Sequence, residues 1–157
     1  LNNTTTSPSV TSIVDDSEML NAAVQKNVFY YARVFKELKA TGAKAKWNWA
    51  AFFWCFLWFA YRKMYFHAAI GIVAQVLVPI VTPFVIGFFG NYIYMNHLES
   101  LVKKITFEYT AINGKPPSRE NIIEELKKRG GVSWGTAILF AIIAFFVFLI
   151  LVAAGIA

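Results

Sequence analysis

Cysteine is almost missing from this chain. Cys55 is the only one in 157 residues, so no intramolecular disulfide and no cysteine-based zinc site is expected. It sits inside an aromatic run with no histidine or other base near it in sequence. It reads as a small apolar filler rather than a reactive thiol. Histidine is nearly as scarce. His67 and His97 are the only two and lie thirty positions apart. A metal site needs three or four convergent ligands, so no metal is expected. Acidic residues number nine against fifteen basic ones, for a formal charge of +6. The largest absence is of charge itself: Met64 to Tyr94 contains no Asp, Glu, Lys or Arg. A proton or ion relay through that stretch would lack its usual parts. No Ser/His/Asp or Cys/His set, phosphate loop or convergent carboxylate pair is present. Glu99, Glu108, His97 and Asn91 do not make a recognisable catalytic set. Neither an enzyme nor a cofactor is expected.

What is abundant points to a membrane. Hydrophobic residues make up 57% of the chain and aromatics 17%, a membrane rather than a soluble-core profile. The basic residues flank apolar segments, where topology and anionic headgroups explain them better than nucleic acid does. The most concentrated feature is the run from Trp47 to Met64, with four Trp, four Phe and one Tyr before the basic pair Arg62-Lys63. Trp and Tyr settle at the boundary between lipid tails and headgroups.

Leu1 to Val14 is Ser/Thr/Asn-rich with Pro8 and no apolar core, so a disordered N-terminus without a signal peptide is expected over residues 1–14. The chain opens on Leu1 rather than Met, so either processing or further residues upstream are expected. An amphipathic helix is predicted over 15–42. Asp15 would cap it and Glu18 would complete a capping box. Leu20, Val24, Val28, Tyr31, Phe35 and Leu38 recur on one face and Gly42 ends it. That face could dock on the protein or lie on a membrane.

The aromatic segment 47–61 would be roughly 22 Å long as a helix, against a hydrocarbon core of about 30 Å. It reads as interfacial or re-entrant, with Trp47, Trp54, Trp58 and Tyr61 on one face and Trp58 within cation–π reach of Arg62. Pro79 and Pro83 divide the uncharged stretch into two short spans, 64–78 and 82–97, joined by a tight turn between the prolines. The second runs on as helix past His97, with Leu98, Leu101, Val102 and Ile105 on one side. His97 with Glu99 reads as an interfacial polar pair. Asn91 and Gln75 would hydrogen-bond neighbouring helices or, alternatively, line a polar pathway. Residues 108–132 form a polar loop and a short helix from Arg119 to Arg129, capped by Ser118 and stopped at Gly130-Gly131. Ser133 caps a final apolar helix over 133–157, long enough to cross a bilayer. On it Ala137, Ala141 and Ala144 make a small-residue packing strip.

Basic residues fall in three clusters: six from Lys26 to Lys46, then Arg62 and Lys63, then seven from Lys103 to Arg129. The positive-inside rule puts all three on one side only if the aromatic run does not cross and Met64–Tyr94 crosses twice. The expected fold is an all-α integral membrane protein. It has three transmembrane helices, an aromatic interfacial or re-entrant helix and an N-terminal amphipathic helix, with N-terminus cytosolic and C-terminus outside.

Two blocks resemble a known family. Trp47-Asn48-Trp49-Ala50-Ala51-Phe52-Phe53, followed by Trp58 and Tyr61-Arg62-Lys63-Met64, is similar to the first motif of the bacterial domain-of-unknown-function 2628 family of small integral membrane proteins. Gly90-Asn91-Tyr92-x-Tyr94-x-x-His97, followed by Lys103-Lys104, resembles its later motif. The resemblance covers residues 46–105. The family often carries Gly-Pro where this chain has Trp54-Cys55, which leaves the break there without its usual residues. The resemblance implies a location in the bacterial cytoplasmic membrane and carries no activity.

These features together suggest a non-enzymatic accessory, scaffold or regulatory subunit of a larger membrane assembly. The alternative is an oligomeric transporter, channel or lipid-handling protein. Expected partners are anionic headgroups near Arg62 and Lys63 and a protein or second copy in the membrane. Asn48 could cap the aromatic helix.

Overall fold

The computed structural model describes residues 12–155. Among them are seven α-helices and no strand: α1 (Ser17–Val24), α2 (Val28–Thr41), α3 (Trp49–Tyr61), α4 (Tyr65–Leu77), α5 (Val81–Asn113), α6 (Arg119–Arg129) and α7 (Trp134–Ala153). The expected all-α class is what is observed. One helix, α7, is long and apolar enough to cross a membrane, while α3 and α4 are apolar but shorter.

The N-terminal helix differs from expectation in two ways. It is capped by Asp16, not Asp15: the Asp16 carboxylate accepts from the N–H groups of Glu18 and Met19, both at 3.0 Å. It is also two helices rather than one. Gln25 and Asn27 take positive φ, 58° and 61°. Tertiary partners hold this break against the helical periodicity. The Gln25 amide donates to Ala22 O in α1 and to Lys127 O in α6. The Val24 and Lys26 carbonyls, turned away from any helical ladder, accept from Arg62. The disordered segment expected over 1–14 lies mostly outside the described residues. Its last part is folded: Ile13 is buried, and Asp15 N–H closes a turn on Ser12 O.

The spine is α5, 33 residues long, or roughly 50 Å. It packs on α3, α4, α2 and α6, meeting α2 near its middle through Asn91, Tyr94 and Glu99 and α6 through Glu108 and Tyr109. It carries helix to Asn113, so the polar segment expected to start at Glu108 is still helical there. The turn between α4 and α5 is shorter than the two prolines suggested. Pro83 lies inside the first turn of α5, where no backbone donor is required. Thr82 Oγ1 donates to Ala74 O and Val78 O, both at 2.9 Å, and pins the hairpin.

A second break interrupts α3 at Cys55, with φ 44° and ψ −124°. The helix thus breaks at Trp54-Cys55 without a Gly-Pro pair. Of the aromatic face expected over Trp47, Trp54, Trp58 and Tyr61, the last three line one cavity, whereas Trp47 precedes the helix and packs on Phe52 and Phe88. Glycines on α4 and α5 admit the α3 backbone at close range. A Cβ at Gly71 would lie 2.7 Å from Phe56 Cβ, and one at Gly90 would lie 3.0 Å from Ala51 Cβ.

The polar end is held by α1 against α6. Arg119 forks onto the Asp16 carboxylate at 2.7 and 2.9 Å, and Gly131 N–H donates to Ala23 O at 2.7 Å. Leu20, Val24, Ile123 and Leu126 are buried there. The other end is apolar outside as well as inside: Phe66, Leu77 and Ile80 are more than 70% exposed.

Candidate functional site

Arg62 ends the aromatic helix and is its most unusual residue. Only 3% of it is exposed. Its Nη1 donates to Val24 O at 3.1 Å and to the Tyr94 hydroxyl at 3.4 Å, and its Nη2 donates to Lys26 O at 3.3 Å. The guanidinium carbon lies 4.5 Å from the centre of the Tyr31 ring, 5.1 Å from Tyr94 and 5.8 Å from Tyr61. Cation–π contact is therefore made with three tyrosines, not with Trp58 as expected. Trp58 packs instead on Gly90 and the Tyr94 ring.

Nothing among the described residues neutralises this cation. No carboxylate pairs with it; Asp16 and Glu18 are taken by Arg119, and Glu99 by Lys39. Burial pushes the Tyr31 phenol up, against the opposing pull of Arg62, so Tyr31 supplies a ring face and not a phenolate. Arg62 Nε is buried without a partner. The carbonyls at the end of α1 offset part of the charge, as the negative end of a helix dipole does. At 3% exposure Arg62 is held inside the fold rather than on its outer surface. Lys63 is also used internally: its Nζ donates to Gly130 O at 2.6 Å and Lys128 O at 3.3 Å, closing the end of α6.

A cavity of about 310 Å³ adjoins Arg62, walled by Trp54, Leu57 and Trp58 of α3 and by Trp134, Ala137 and Ala141 of α7. Helix α7 docks through its first turns. Thr136 Oγ1 donates to Ala60 O at 2.8 Å, Ser133 N–H donates to Tyr61 O at 2.8 Å, and the Tyr61 and Trp134 rings sit 4.8 Å apart. Of the expected alanine strip, Ala137 is buried, Ala144 is half-buried and Ala141 is exposed.

Two of the remaining candidates, Asn48 and Asn91, form a second cluster. Asn48 caps α3 by accepting from Ala51 N–H at 3.0 Å. Its amide donates to Asn91 Oδ1 at 2.8 Å, and Asn91 Nδ2 donates to the Tyr30 hydroxyl at 3.0 Å and to Lys46 O at 3.2 Å. Both asparagines are buried. Gln75 bonds Pro79 O in its own turn rather than a neighbouring helix. Trp49 is exposed and stacks on Phe53. His97 does not pair with Glu99, which binds Lys39 at 3.0 Å. Its ring packs instead against His67, 6.0 Å between centres. That juxtaposition, the role of Tyr31 and the close approach of Phe56 at Gly71 are not signalled by periodicity or composition. No family model, curated protein or solved structure matches the chain.

Proposed function

We propose that this is a multi-pass bacterial cytoplasmic-membrane protein that acts without catalysis, as an accessory or scaffold subunit of a larger membrane assembly. Three segments would span: α4, the apolar half of α5, and α7. The bent α3 would dip into the cytosolic leaflet, with α1, α2 and α6 forming a cytosolic cap. The outward apolar side chains of α4 and α5 support the placement, since exposed patches of this size need a nonaqueous partner. The Lys63 bonds to the end of α6 support a common side for the second and third basic clusters. The resemblance over residues 46–105 supports the bacterial setting.

The observation that carries the scaffold reading is the far half of α7. Ala144, Val147 and Leu151 are half-buried along one side, while Phe145, Phe146, Phe148 and Ile150 are all more than half exposed over the rest of the circumference. A helix with so broad an apolar face uncovered among the described residues is available to another helix in the bilayer. A photo-crosslinking amino acid at Phe146, activated in native membranes, should give a discrete protein adduct. Adducts to lipid alone would sink the reading. A second reading, lipid handling, is favoured by the cavity beside Arg62.

A further inference from the structure

We infer that the cavity between α3 and α7 binds an anionic lipid, with the headgroup charge facing Arg62 and one acyl chain along the Ala137–Ala141 face of α7. This deepens the lipid-handling reading and rests on the membrane placement above.

The charge balance carries it first. A buried cation without a counterion is costly, and its pairing with an anion in a low-dielectric site is correspondingly favoured. Arg62 has carbonyl and tyrosine partners but no acid among the described residues, and its Nε has no partner. The fork of a guanidinium suits phosphate or carboxylate oxygens. The walls carry it second. Beside Arg62 the cavity is bounded by tryptophans, Leu57 and the small side chains of Ala137 and Ala141, so a ligand must be charged at one end and apolar beyond. The size carries it third. About 310 Å³ is at the low end of the roughly 300–1,000 Å³ of ligand pockets. That admits a small headgroup and the first part of one chain. The rest of the chain would leave past Ala141, which is exposed on α7.

The test is native mass spectrometry of the delipidated full chain in non-ionic detergent. It is titrated with lysophosphatidic acid, lysophosphatidylcholine or inorganic phosphate. The expected result is one lysophosphatidic acid bound, with about tenfold preference over the zwitterionic lipid, as one charge-assisted contact supplies. Arg62→Gln should erase the preference. Should that variant fail to fold, Ala50 of α3 and Ala141 of α7, which line the cavity from its two walls at exposed positions, give Ala50→Leu and Ala141→Leu, and each should weaken binding by a similar factor. Equal binding of both lipids, phosphate binding as tight as the lipid's, or full binding by both leucine variants would each overturn the proposal. Failure of the membrane placement is a different result: the protein would then leave membranes under alkaline carbonate without detergent.

Discussion

Replacing Arg62 by lysine would keep the charge and lose the fork. One ammonium cannot reach Val24 O, Lys26 O and the Tyr94 hydroxyl together as the guanidinium does. Arg62→Lys should cost about 1–3 kcal/mol, the penalty for leaving a buried acceptor unpaired. Denaturant titration in detergent would measure it, and an unchanged midpoint would refute the clamp. Glycines give a second single-residue expectation. Gly71→Ala drives a Cβ to 2.7 Å from Phe56 Cβ and should destabilise by about 1–3 kcal/mol, the usual cost of overpacking. Gly135→Ala meets only Ser133 Oγ at 3.9 Å and should be neutral or stabilising by up to about 1 kcal/mol. Equal melting temperatures for the two alanine variants would show that α3 does not press on α4. At this scale the sequence was legible where function is local, as in the Asn48 cap. It was silent on the burial of Arg62. A basic pair after an apolar run looks like a boundary marker, and the burial of this one depends on a distant helix break.

Helix starts were easier to read than helix interiors. Ser118 and Ser133 each accept from the N–H three residues on, a contact fixed within one turn of sequence. The break at Gln25–Asn27 was invisible because Leu20 to Leu38 keeps one apolar period across it. The energy that opens it comes from Arg62 and α6, not from local propensity. The kink at Cys55 is similar, since a non-glycine residue at φ 44° is imposed by what packs on either side. The docking of α1 on α6 gives an expectation in pH. Arg119 holds the Asp16 carboxyl below its ordinary 3.8, burial opposes, and the Met19 N–H adds to the lowering. The charged form is the one the fold favours. Its contribution is therefore complete above about pH 4 and is lost as pH falls through the lower folded value. With Arg119 46% exposed, solvent screening keeps the amount small. Protection factors of the α1 amides, referred to the intrinsic exchange rate at each pH, should fall below pH 4 in the wild type. Asp16→Asn should already show the lower protection at pH 7 and hold it across that range; a wild-type profile with no step would remove the ion pair from the account.

For the molecule as a whole, the proposed arrangement sets Lys115 and Ala157 on opposite sides of the membrane. Single cysteines at these positions, in a Cys55→Ser background, should react with an impermeant reagent from opposite faces of sealed vesicles. Labelling from one face would discard the three-span topology. Helical class and the order of apolar and polar segments were readable from composition and periodicity. The joining of the two ends of the molecule was not, because it depends on contacts between residues far apart in the chain. One of these has a consequence in time. Asp16 and Arg119 are 103 residues apart, so at roughly 5–20 residues per second the ribosome delivers the second about 5–20 s after the first. Throughout that interval Met19, Leu20 and Val24 exist without the helix that will cover them. Any chaperone or membrane surface that shields the newborn N-terminus must release it late, and α1 against α6 is among the final contacts the chain can make.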